Sequence, residues 1–274
     1  MPNRIESIFA DARSQHRRLL MPFVCAGSPT LDALPRLLPR LEHAGASIVE
    51  IGFPFSDPIA DGPVIAAAMH DALERGITPD TIFEQVASVR GQTDLGLVAM
   101  VSVSLVHRSG VTRFIERARD AGFDGFIFPD APLEESAELA AAAGEAGLTA
   151  TLLVSPSTSP ERAASVTELC TGFVYLLARA GITGEQEQAP EVEQRVSMLR
   201  EVTDLPIACG FGISTADHVG AVIRHADAAI VGSALVRRLE EAQQAGRAVE
   251  TEAEEFVADL ATGLINMEDL PGVG

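Results

Sequence analysis

The chain has 274 residues, 47% of them hydrophobic, with a formal net charge of −19 and a pI near 4.6. So strong a negative charge repels nucleic acid and anionic membranes, so we expect neither as a partner. The length and the apolar content allow either one (β/α)8 barrel or two smaller domains.

Short apolar runs rich in β-branched residues alternate along the chain with helical patterns rich in Ala, Leu, Glu and Arg. This alternation is typical of parallel strands joined by crossover helices. Eight strands are predicted, at residues 20–25, 47–51, 95–101, 125–128, 149–154, 173–177, 206–208 and 228–231. The helices are predicted at residues 31–43, 64–74, 111–121, 134–146, 160–169, 190–201, 215–224 and 252–264. Eight such pairs in about 250 residues, with no Gly/Ser-rich linker between them, predict an α/β fold in which residues 1–274 form a single TIM barrel domain.

Two further helices are predicted outside the regular alternation, at residues 5–16 and 79–90. The first precedes the first strand. Its apolar residues Ile5, Ile8 and Phe9 recur at helical spacing, so this helix should seal the amino-terminal end of the barrel. The second lengthens the connection after the second strand, and insertions at the carboxyl-terminal face of a barrel are typical of functional loops.

Two acidic residues, Glu50 and Asp61, bracket a stretch that is otherwise apolar and rich in proline. Glu50 is at the carboxyl end of the second predicted strand and Asp61 is on the loop after it, where α/β barrels carry their catalytic groups. An acid at the end of a strand often caps a helix or forms a salt bridge instead. Here no basic residue lies between the two acids to neutralise either one, so we predict that both are working groups.

Glycine-rich turns follow the seventh and the eighth predicted strands, and each leads directly into a helical pattern. Gly212 belongs to the first turn, and Gly232 and Ser233 belong to the second. Glycine lets a phosphate approach the backbone, while the amino terminus of a helix offers unpaired N–H groups and a favourable dipole. These two loops are the usual phosphate position in TIM barrels. Thr183 and Gly184 follow the sixth strand and would add to the same phosphate site, which contains no lysine.

The three cysteines, Cys25, Cys170 and Cys209, are far apart in the chain and form no C-x-x-C pair. Buried, reduced thiols in a cytoplasmic protein are therefore expected rather than disulfides. The six histidines show no metal-ligand spacing, so we predict no metal site. The first residues lack the apolar core of a signal peptide, and no run approaches the roughly 20 apolar residues of a membrane span.

Several motifs, in order along most of the chain, resemble those of the tryptophan synthase α subunit family. The most specific is the string Glu50-Ile-Gly-Phe-Pro-Phe-Ser-Asp-Pro-Ile-Ala-Asp61-Gly-Pro63. The others are Met21-Pro-Phe-Val-Cys-Ala-Gly27, Pro129-Asp130-Ala-Pro132, Ser155-Pro-Ser-Thr158, Gly172-Phe-Val-Tyr175, Arg179-Ala-Gly-Ile-Thr-Gly184, Gly210-Phe-Gly-Ile213 and Gly232-Ser233-Ala234. The resemblance extends over about residues 5–239.

The resemblance implies a retro-aldol cleavage of indole-3-glycerol phosphate to indole and glyceraldehyde 3-phosphate, with no cofactor or metal in this chain. It assigns Asp61 to a hydrogen bond with the indole N–H. It assigns Glu50 to protonation of indole C3, followed by removal of the proton of the glycerol hydroxyl. One carboxyl that acts first as an acid and then as a base needs a pKa raised towards neutrality, which burial would provide.

Five residues match positions that line the family's indole pocket, although plain core packing explains each of them as readily. They are Phe23, Met100, Ile127, Tyr175 and Phe211.

The resemblance also implies a partner, a β subunit that carries pyridoxal phosphate and receives the indole within an αββα heterotetramer. The expected interface residues are Asp57, Ser104, His107, Arg108, Asp130 and Pro132. After the third strand, many family members carry a Tyr and an Asn that residues 101–108 lack, and we expect this segment to be a loop. The segment after Gly184 is short and acidic, so its closure over the substrate is expected to differ in detail.

Three other functions fit part of the pattern. A stand-alone indole-3-glycerol phosphate lyase, which releases indole without a β partner, would show the same catalytic string. A catalytically weak subunit kept as a docking module and activator for a β chain would not need both acids and all three phosphate loops. An unrelated phosphate-binding barrel, such as a pentose phosphate epimerase or a phosphoribosyl-substrate isomerase, would share the phosphate loops but not the string from Glu50 to Pro63.

Overall fold

Nine parallel strands form a single sheet in the computed structural model, which describes residues 2–58, 61–178, 192–210 and 212–264. The strands are β1 (Leu19–Cys25), β2 (Ile48–Gly52), β3 (Gly96–Met100), β4 (Gly125–Ile127), β5 (Thr149–Thr151), β6 (Leu153–Val154), β7 (Val174–Leu177), β8 (Ile207–Gly210) and β9 (Ala228–Val231). Their order in the sheet is β5-β4-β3-β2-β1-β9-β8-β7-β6. Parallel neighbours need a crossover connection, which is why helices separate the strands along the chain.

The sheet closes on itself through the fifth predicted strand. β5 and β6 form the two ends of the sheet order, and a single residue, Leu152, separates them in the chain. Phe128 N donates to Thr151 O at 3.2 Å on one side, and Tyr175 N donates to Leu152 O at 3.3 Å on the other. The predicted TIM barrel is therefore confirmed, and the strand expected at 149–154 is observed as two short pieces.

Twelve helices accompany the strands within the described residues. They are α1 (Arg4–Ser14), α2 (Ala33–His43), α3 (Pro63–Glu74), α4 (Pro79–Val89), α5 (Val103–Ser109), α6 (Val111–Ala121), α7 (Leu133–Glu145), α8 (Pro160–Thr167), α9 (Glu193–Arg200), α10 (Ala216–Ile223), α11 (Ser233–Gln244) and α12 (Val249–Ala261). A short 3-10 turn, Arg90–Gln92, follows α4. Every helix with predicted bounds is observed, with ends that differ by no more than three residues. In the part of the chain that the structure describes, no helix has the length and apolarity to cross a bilayer.

The expectation that residues 101–108 form a loop is wrong, because α5 occupies most of them. Ser102 is the N-cap of α5, and its hydroxyl accepts a hydrogen bond from Ser104 N at 3.2 Å. Gly110, in a backbone conformation with φ of 84°, ends the helix. A helix of seven residues is too short to show a repeated apolar spacing, so the periodicity of the sequence does not indicate it.

Side chains alternate along each strand between the barrel interior and the surrounding helices. In β1, Leu19 and Met21 belong to the interior core, whereas Leu20 packs in the outer core against helices. In β2, Ile48 belongs to the interior core. Glu50, two residues further along β2, therefore also faces the interior, at the carboxyl-terminal end of the barrel.

The extra helix α1 covers the opposite, amino-terminal end of the barrel, as predicted. Ile5 and Phe9 are buried in the interior core, and Ile8 packs against it. The ring of Phe9 lies 5.7 Å from that of Phe173, measured between centroids. Asn3 caps the helix and also donates to two main-chain carbonyl groups of other loops at 2.8 Å each, which anchors α1 to the barrel. The carboxyl-terminal end is thus the face left for a site.

Candidate active site

Glu50 is a fully buried acid in the middle of the sheet. In the strand register it lies between Phe23 of β1 and Val98 of β3, and none of its surface is exposed. Neither carboxyl oxygen has a hydrogen-bond partner within the described residues. This burial raises the pKa of Glu50 well above its usual value of 4.5. Burial therefore favours the protonated acid, which is the form that donates a proton.

Asp61 lies on the loop between β2 and α3, one residue before Gly62, the N-cap of α3. Its side chain is half-buried, and its backbone N–H donates to Pro58 O at 3.2 Å. Burial first, and the negative charge of Asp130 second, raise the pKa of Asp61 to about 6. At pH 7 the carboxylate is mostly ionised, which is the form that accepts a hydrogen bond from an N–H group.

Four of the five predicted indole-pocket residues are described, and they lie where two apolar clusters meet. Ile127 and Tyr175 belong to the interior core, and Phe23 belongs to a cluster at the carboxyl-terminal end. Met100 packs against both clusters. The ring of Phe23 lies against Gly52, where a Cβ would come within 2.4 Å of it. The structure therefore brings these four predicted residues to the same end of the barrel as Glu50.

The phenol of Tyr175 is a further buried titratable group inside the barrel. Burial, followed by the negative charges of Glu50, Cys209 and Asp61, raises the pKa of Tyr175 well above its usual value of 10. The hydroxyl oxygen fits beside Gly210, where a Cβ would be only 2.4 Å away. The Tyr175 hydroxyl therefore reaches the end of β8, and the charges of both acids oppose its ionisation.

The three predicted phosphate residues that the structure describes lie at the amino termini of α10 and α11, at the same end of the barrel. Gly232 is the N-cap of α11 and Ser233 is its first residue, and no side chain caps this helix. α10 differs, because Thr215 accepts a hydrogen bond from His218 N at 3.2 Å. Gly212 adopts φ of 75°, and its carbonyl oxygen lies 3.2 Å from His218 Nδ1. The first turn of α11 is therefore the better anion site of the two.

Three of the predicted substrate residues lie outside the described part of the chain, and their roles stay predictions. They are Thr183, Gly184 and Phe211.

The six predicted interface residues are all exposed on loops and helices at the carboxyl-terminal face. They are Asp57 after β2, Ser104, His107 and Arg108 on α5, and Asp130 and Pro132 after β4. Exposure at the mouth of the barrel is what a docking surface needs.

Sequence reasoning missed how Asp130 is held within the chain. Ser102 Oγ donates to Asp130 Oδ2 at 2.6 Å, and Val103 N donates to Asp130 Oδ1 at 2.9 Å. A serine before a short amphipathic run is an N-cap signal that could have indicated α5. Nothing in the sequence indicated that an acid from the next loop joins that cap.

The three cysteines are free and buried, as predicted. Burial, and then the charge of Asp61, raises the pKa of the Cys25 thiol well above its usual value. Burial also raises the pKa of Cys170 to about 11 and that of Cys209 to about 12. All three are therefore protonated and unreactive at neutral pH. Over the described ranges, no group of three or more His, Cys, Asp and Glu side chains could hold a metal ion.

Comparison with known proteins gives a consistent result. The model of the family described as "Tryptophan synthase alpha chain" matches residues 9–264. A relative of that name from Thermosynechococcus vestitus is 39% identical over 263 residues, which cover 95% of this chain and 97% of the relative. Another from Chloroflexus aggregans is 42% identical over 240 residues, covering 87% and 90% of the two chains.

Solved structures agree with the sequence relatives. Tryptophan synthase subunit alpha from Legionella pneumophila has a TM-score of 0.89 at 29% identity, with 96% of this chain and 98% of that chain covered. A chain of Mycobacterium tuberculosis tryptophan synthase has a TM-score of 0.87 at 31% identity, with 96% and 99% covered.

Proposed function

The chain belongs to the tryptophan synthase alpha chain family, and we propose that Glu50 and Asp61 carry out its cleavage of indole-3-glycerol phosphate. The protein is a lyase of tryptophan biosynthesis, and its products are indole and glyceraldehyde 3-phosphate. The observation that carries the assignment of the site is Glu50, an acid without a hydrogen-bond partner in the described chain, buried at the carboxyl end of a barrel strand.

The reaction needs one group that keeps the indole ring electron-rich and one that moves protons. Ionised Asp61 accepts the hydrogen bond of the indole N–H, which stabilises the positive charge that develops on the ring. Protonated Glu50 donates its proton to indole C3, and the ring becomes an electron sink. The Glu50 carboxylate, directly or through a water, then takes the proton of the glycerol hydroxyl.

Bond cleavage follows from that second proton transfer. The hydroxyl oxygen forms a carbonyl, the carbon–carbon bond to indole C3 breaks, and its electron pair returns to the ring. Glyceraldehyde 3-phosphate and neutral indole are released, and Glu50 has regained its proton. The raised pKa of Glu50 suits this double role, because it favours the protonated acid that the first step needs and makes the carboxylate a stronger base for the second.

The phosphate group of the substrate is proposed to bind at the first turn of α11. Ser233 and the uncapped N–H groups after Gly232 supply the donors, with Gly212, Thr183 and Gly184 adding to the same site. The chain contains no lysine, and its net charge of −19 repels the substrate at long range, so short-range backbone donors must provide the affinity.

A β subunit is proposed as the partner, in an αββα heterotetramer. Pyridoxal phosphate belongs to that subunit, and no step of the cleavage described here uses it. The exposed face of Asp57, Ser104, His107, Arg108 and Pro132 would form the interface. Docking there would favour the closed arrangement of the loops that carry Asp61 and Thr183.

The test is an assay of indole release from indole-3-glycerol phosphate by the purified chain, with and without a cognate β subunit. We expect slow cleavage alone and at least a tenfold increase with the β subunit, which corresponds to about 1.4 kcal/mol of coupling. Arg108→Glu should lower the activation factor, because it reverses a charge on the interface. Full activity alone, unchanged by the β subunit, would establish the stand-alone lyase instead. No cleavage under either condition would remove the proposed function.

A further inference from the structure

His218 is a buried histidine in the first turn of α10, beside the turn that follows β8. Only 6% of its surface is exposed. Its backbone N–H donates to Thr215 Oγ1, the side-chain cap of α10, at 3.2 Å. Its ring nitrogen Nδ1 lies 3.2 Å from the carbonyl oxygen of Gly212. A carbonyl oxygen can only accept a hydrogen bond, so Nδ1 carries the proton and the ring is the donor.

This hydrogen bond fixes one peptide group of the turn. Gly212 is buried and adopts φ of 75°, a conformation that favours glycine. Its carbonyl belongs to the planar peptide group that also contains the N–H of Ile213, and in a trans peptide the two groups point in opposite directions. The N–H of Ile213 therefore points away from the ring of His218. A contact made by a side chain of α10 sets the direction of a backbone donor in the turn.

The N–H groups of this turn form no hydrogen bond inside the part of the chain that the structure describes. Neither Gly212 N nor Ile213 N donates to another described group, although both residues are buried. Nearly all buried backbone donors in native proteins are paired with protein or with a bound molecule. The two N–H groups are therefore available to a ligand.

The turn lies beside the first turn of α11. Gly210 of β8 pairs with Ile230 of β9, and Gly212 and Gly232 are each two residues further along the chain. Neighbouring strands lie about 4.8 Å apart, so the register places the two glycine turns side by side. Thr215 already caps α10, whereas no side chain caps α11. The donors that this loop can add to the start of α11 are therefore those of the glycine turn, and not those of α10.

We propose that His218 is a positioning residue of the phosphate site, whose ring holds the Gly212 turn so that its N–H groups face the phosphate at the start of α11. This rests on the proposed binding of the substrate phosphate at the first turn of α11. His218 does not touch the phosphate and acts through Gly212. A turn that is held in advance binds an anion more tightly, because less backbone has to be ordered when the ligand arrives.

The test compares two substitutions of His218 in the full-length chain. His218→Leu keeps an apolar body in the buried position but cannot donate, so the Gly212 carbonyl loses its partner. The KM for indole-3-glycerol phosphate should rise about fivefold with little change in kcat, as expected for the loss of one hydrogen bond that supports binding. His218→Asn is the rescue variant, because its Nδ2 can take the place of the ring Nδ1. Its KM should stay within about twofold of the parent value.

A matched control makes the same substitution beyond the other end of α10. His225 is half-buried and follows the helix, so His225→Leu should leave KM and kcat at the parent values. Circular dichroism checks the folding of each variant. If His218→Leu does not fold, His218→Met is measured instead, because its flexible side chain fills an irregular space without a strong donor.

Binding of glycerol 3-phosphate, measured by calorimetry, gives a readout that needs no turnover. Its affinity should fall about fivefold in His218→Leu and recover in His218→Asn. Indole carries no phosphate, so it should bind equally to the parent chain and to both variants. A folded His218→Leu protein that binds glycerol 3-phosphate as the parent does overturns the inference. Equal losses for glycerol 3-phosphate and indole would also overturn it, because the damage would then not be confined to the phosphate site.

The two measurements together separate this inference from the proposed function. If the parent chain cleaves the substrate and binds glycerol 3-phosphate, and His218→Leu matches it in both, only the inference fails. If glycerol 3-phosphate binding depends on His218 but the parent chain shows no cleavage, the inference stands and the proposed function fails. A parent chain that does not bind glycerol 3-phosphate would remove the proposed phosphate site and the inference with it.

Discussion

Glu50 and Asp61 are the same kind of group held in two different ways. Glu50 belongs to β2, a strand paired on both sides, and is completely buried. Asp61 belongs to a loop and is half-buried, with a like charge nearby. The pKa of Glu50 is raised well above 4.5, and that of Asp61 to about 6. Burial is the largest cause of both shifts, with the charge of Asp130 as a second cause at Asp61, and the two environments suit the proposed roles of proton donor and hydrogen-bond acceptor.

Glu50 and Asp61 also differ in the kind of element that holds them. The backbone of Glu50 is held by a strand that pairs on both sides, so its side chain extends from a fixed point of the barrel interior. Asp61 lies instead on the loop between β2 and α3. The proposed proton donor is therefore held by the sheet, whereas the position of the proposed hydrogen-bond acceptor depends on its loop.

The largest effect should come from removing the fixed proton donor. Glu50→Gln keeps the size of the side chain but cannot transfer a proton, so kcat should fall by about 10²- to 10⁴-fold. Single-turnover measurement of indole formation checks this, with circular dichroism to confirm folding. Glu84→Gln, an exposed acid on α4, is the matched control and should retain full activity. Near-normal turnover by a folded Glu50→Gln protein would remove Glu50 from the mechanism.

Removing the proposed acceptor, Asp61, should have the next largest effect. Asp61→Asn keeps a hydrogen-bond acceptor but loses the charge that stabilises the cationic ring, so kcat/KM should fall by about 10²-fold or more. We expect the parent chain to have an acid limb near pH 6 from ionisation of Asp61, and the remaining activity of Asp61→Asn should lack it. Steady-state rates from pH 4.5 to 8 test both points. Asp259→Asn, exposed on α12, serves as control, and an acid limb that persists in Asp61→Asn would assign that limb to another group.

The place of Glu50 at the end of a strand could be predicted from the sequence. For Asp61, the sequence predicted only that it lies on the loop that follows. The strand 228–231 and the helix 111–121 match β9 and α6 at both ends. In α6, Phe114, Ile115 and Ala118 are buried at helical spacing, and Gly122 ends the helix with φ of 100°. Strong local patterns of this kind identify elements, and the place of Glu50 at a strand end follows from them.

Contacts between loops could not be predicted, because each depends on residues distant in the sequence. The hydrogen bond between Ser102 and Asp130 joins residues 28 positions apart. The ring of Phe23 fits against Gly52, and the hydroxyl of Tyr175 against Gly210, only because the strands pair in this register. A sequence shows which residues are present at the end of each strand, but the distances between them appear only once the barrel closes.

A smaller effect is expected at the proposed phosphate site, because its residues would bind the substrate and take no part in the reaction. Gly232→Val places a branched side chain over the first N–H groups of α11, so KM for indole-3-glycerol phosphate should rise about tenfold with little change in kcat. A Cβ at this position would lie 3.7 Å from its nearest neighbours, Ile65 and Phe23, so the first atom of the side chain fits without a clash. Gly144→Val, which adds the same side chain in open space on α7, is the control. An indole derivative without a phosphate should bind equally to the Gly232→Val and parent chains; equal losses for both ligands would indicate a different anchor.

The smallest effect concerns stability, and it measures the cost of keeping Glu50 buried. The folded-state pKa of Glu50 lies above its unfolded value of about 4.5, so the folded state holds the proton longer as the pH rises. Stability is therefore complete below pH 4.5 and is lost as the pH rises from there towards the folded pKa. Glu50→Gln removes this loss. Its melting temperature relative to the parent chain should increase by at least about 3 °C between pH 4 and pH 8.

The comparison between the two pH values is what makes this stability measurement informative. Gln introduces its own buried amide, but that packing cost is the same at both pH values and cancels in the difference. The melting temperature of Asp61→Asn relative to the parent chain should also increase with pH. This increase should occur between the usual aspartate pKa of 3.8 and the folded pKa of about 6, so it should be complete by pH 7. Calorimetric melting curves of the three proteins at pH 4, 6, 7 and 8 provide the measurement. A Glu50→Gln difference that does not grow with pH would mean that Glu50 ionises normally, and its role as proton donor would then lose its physical basis.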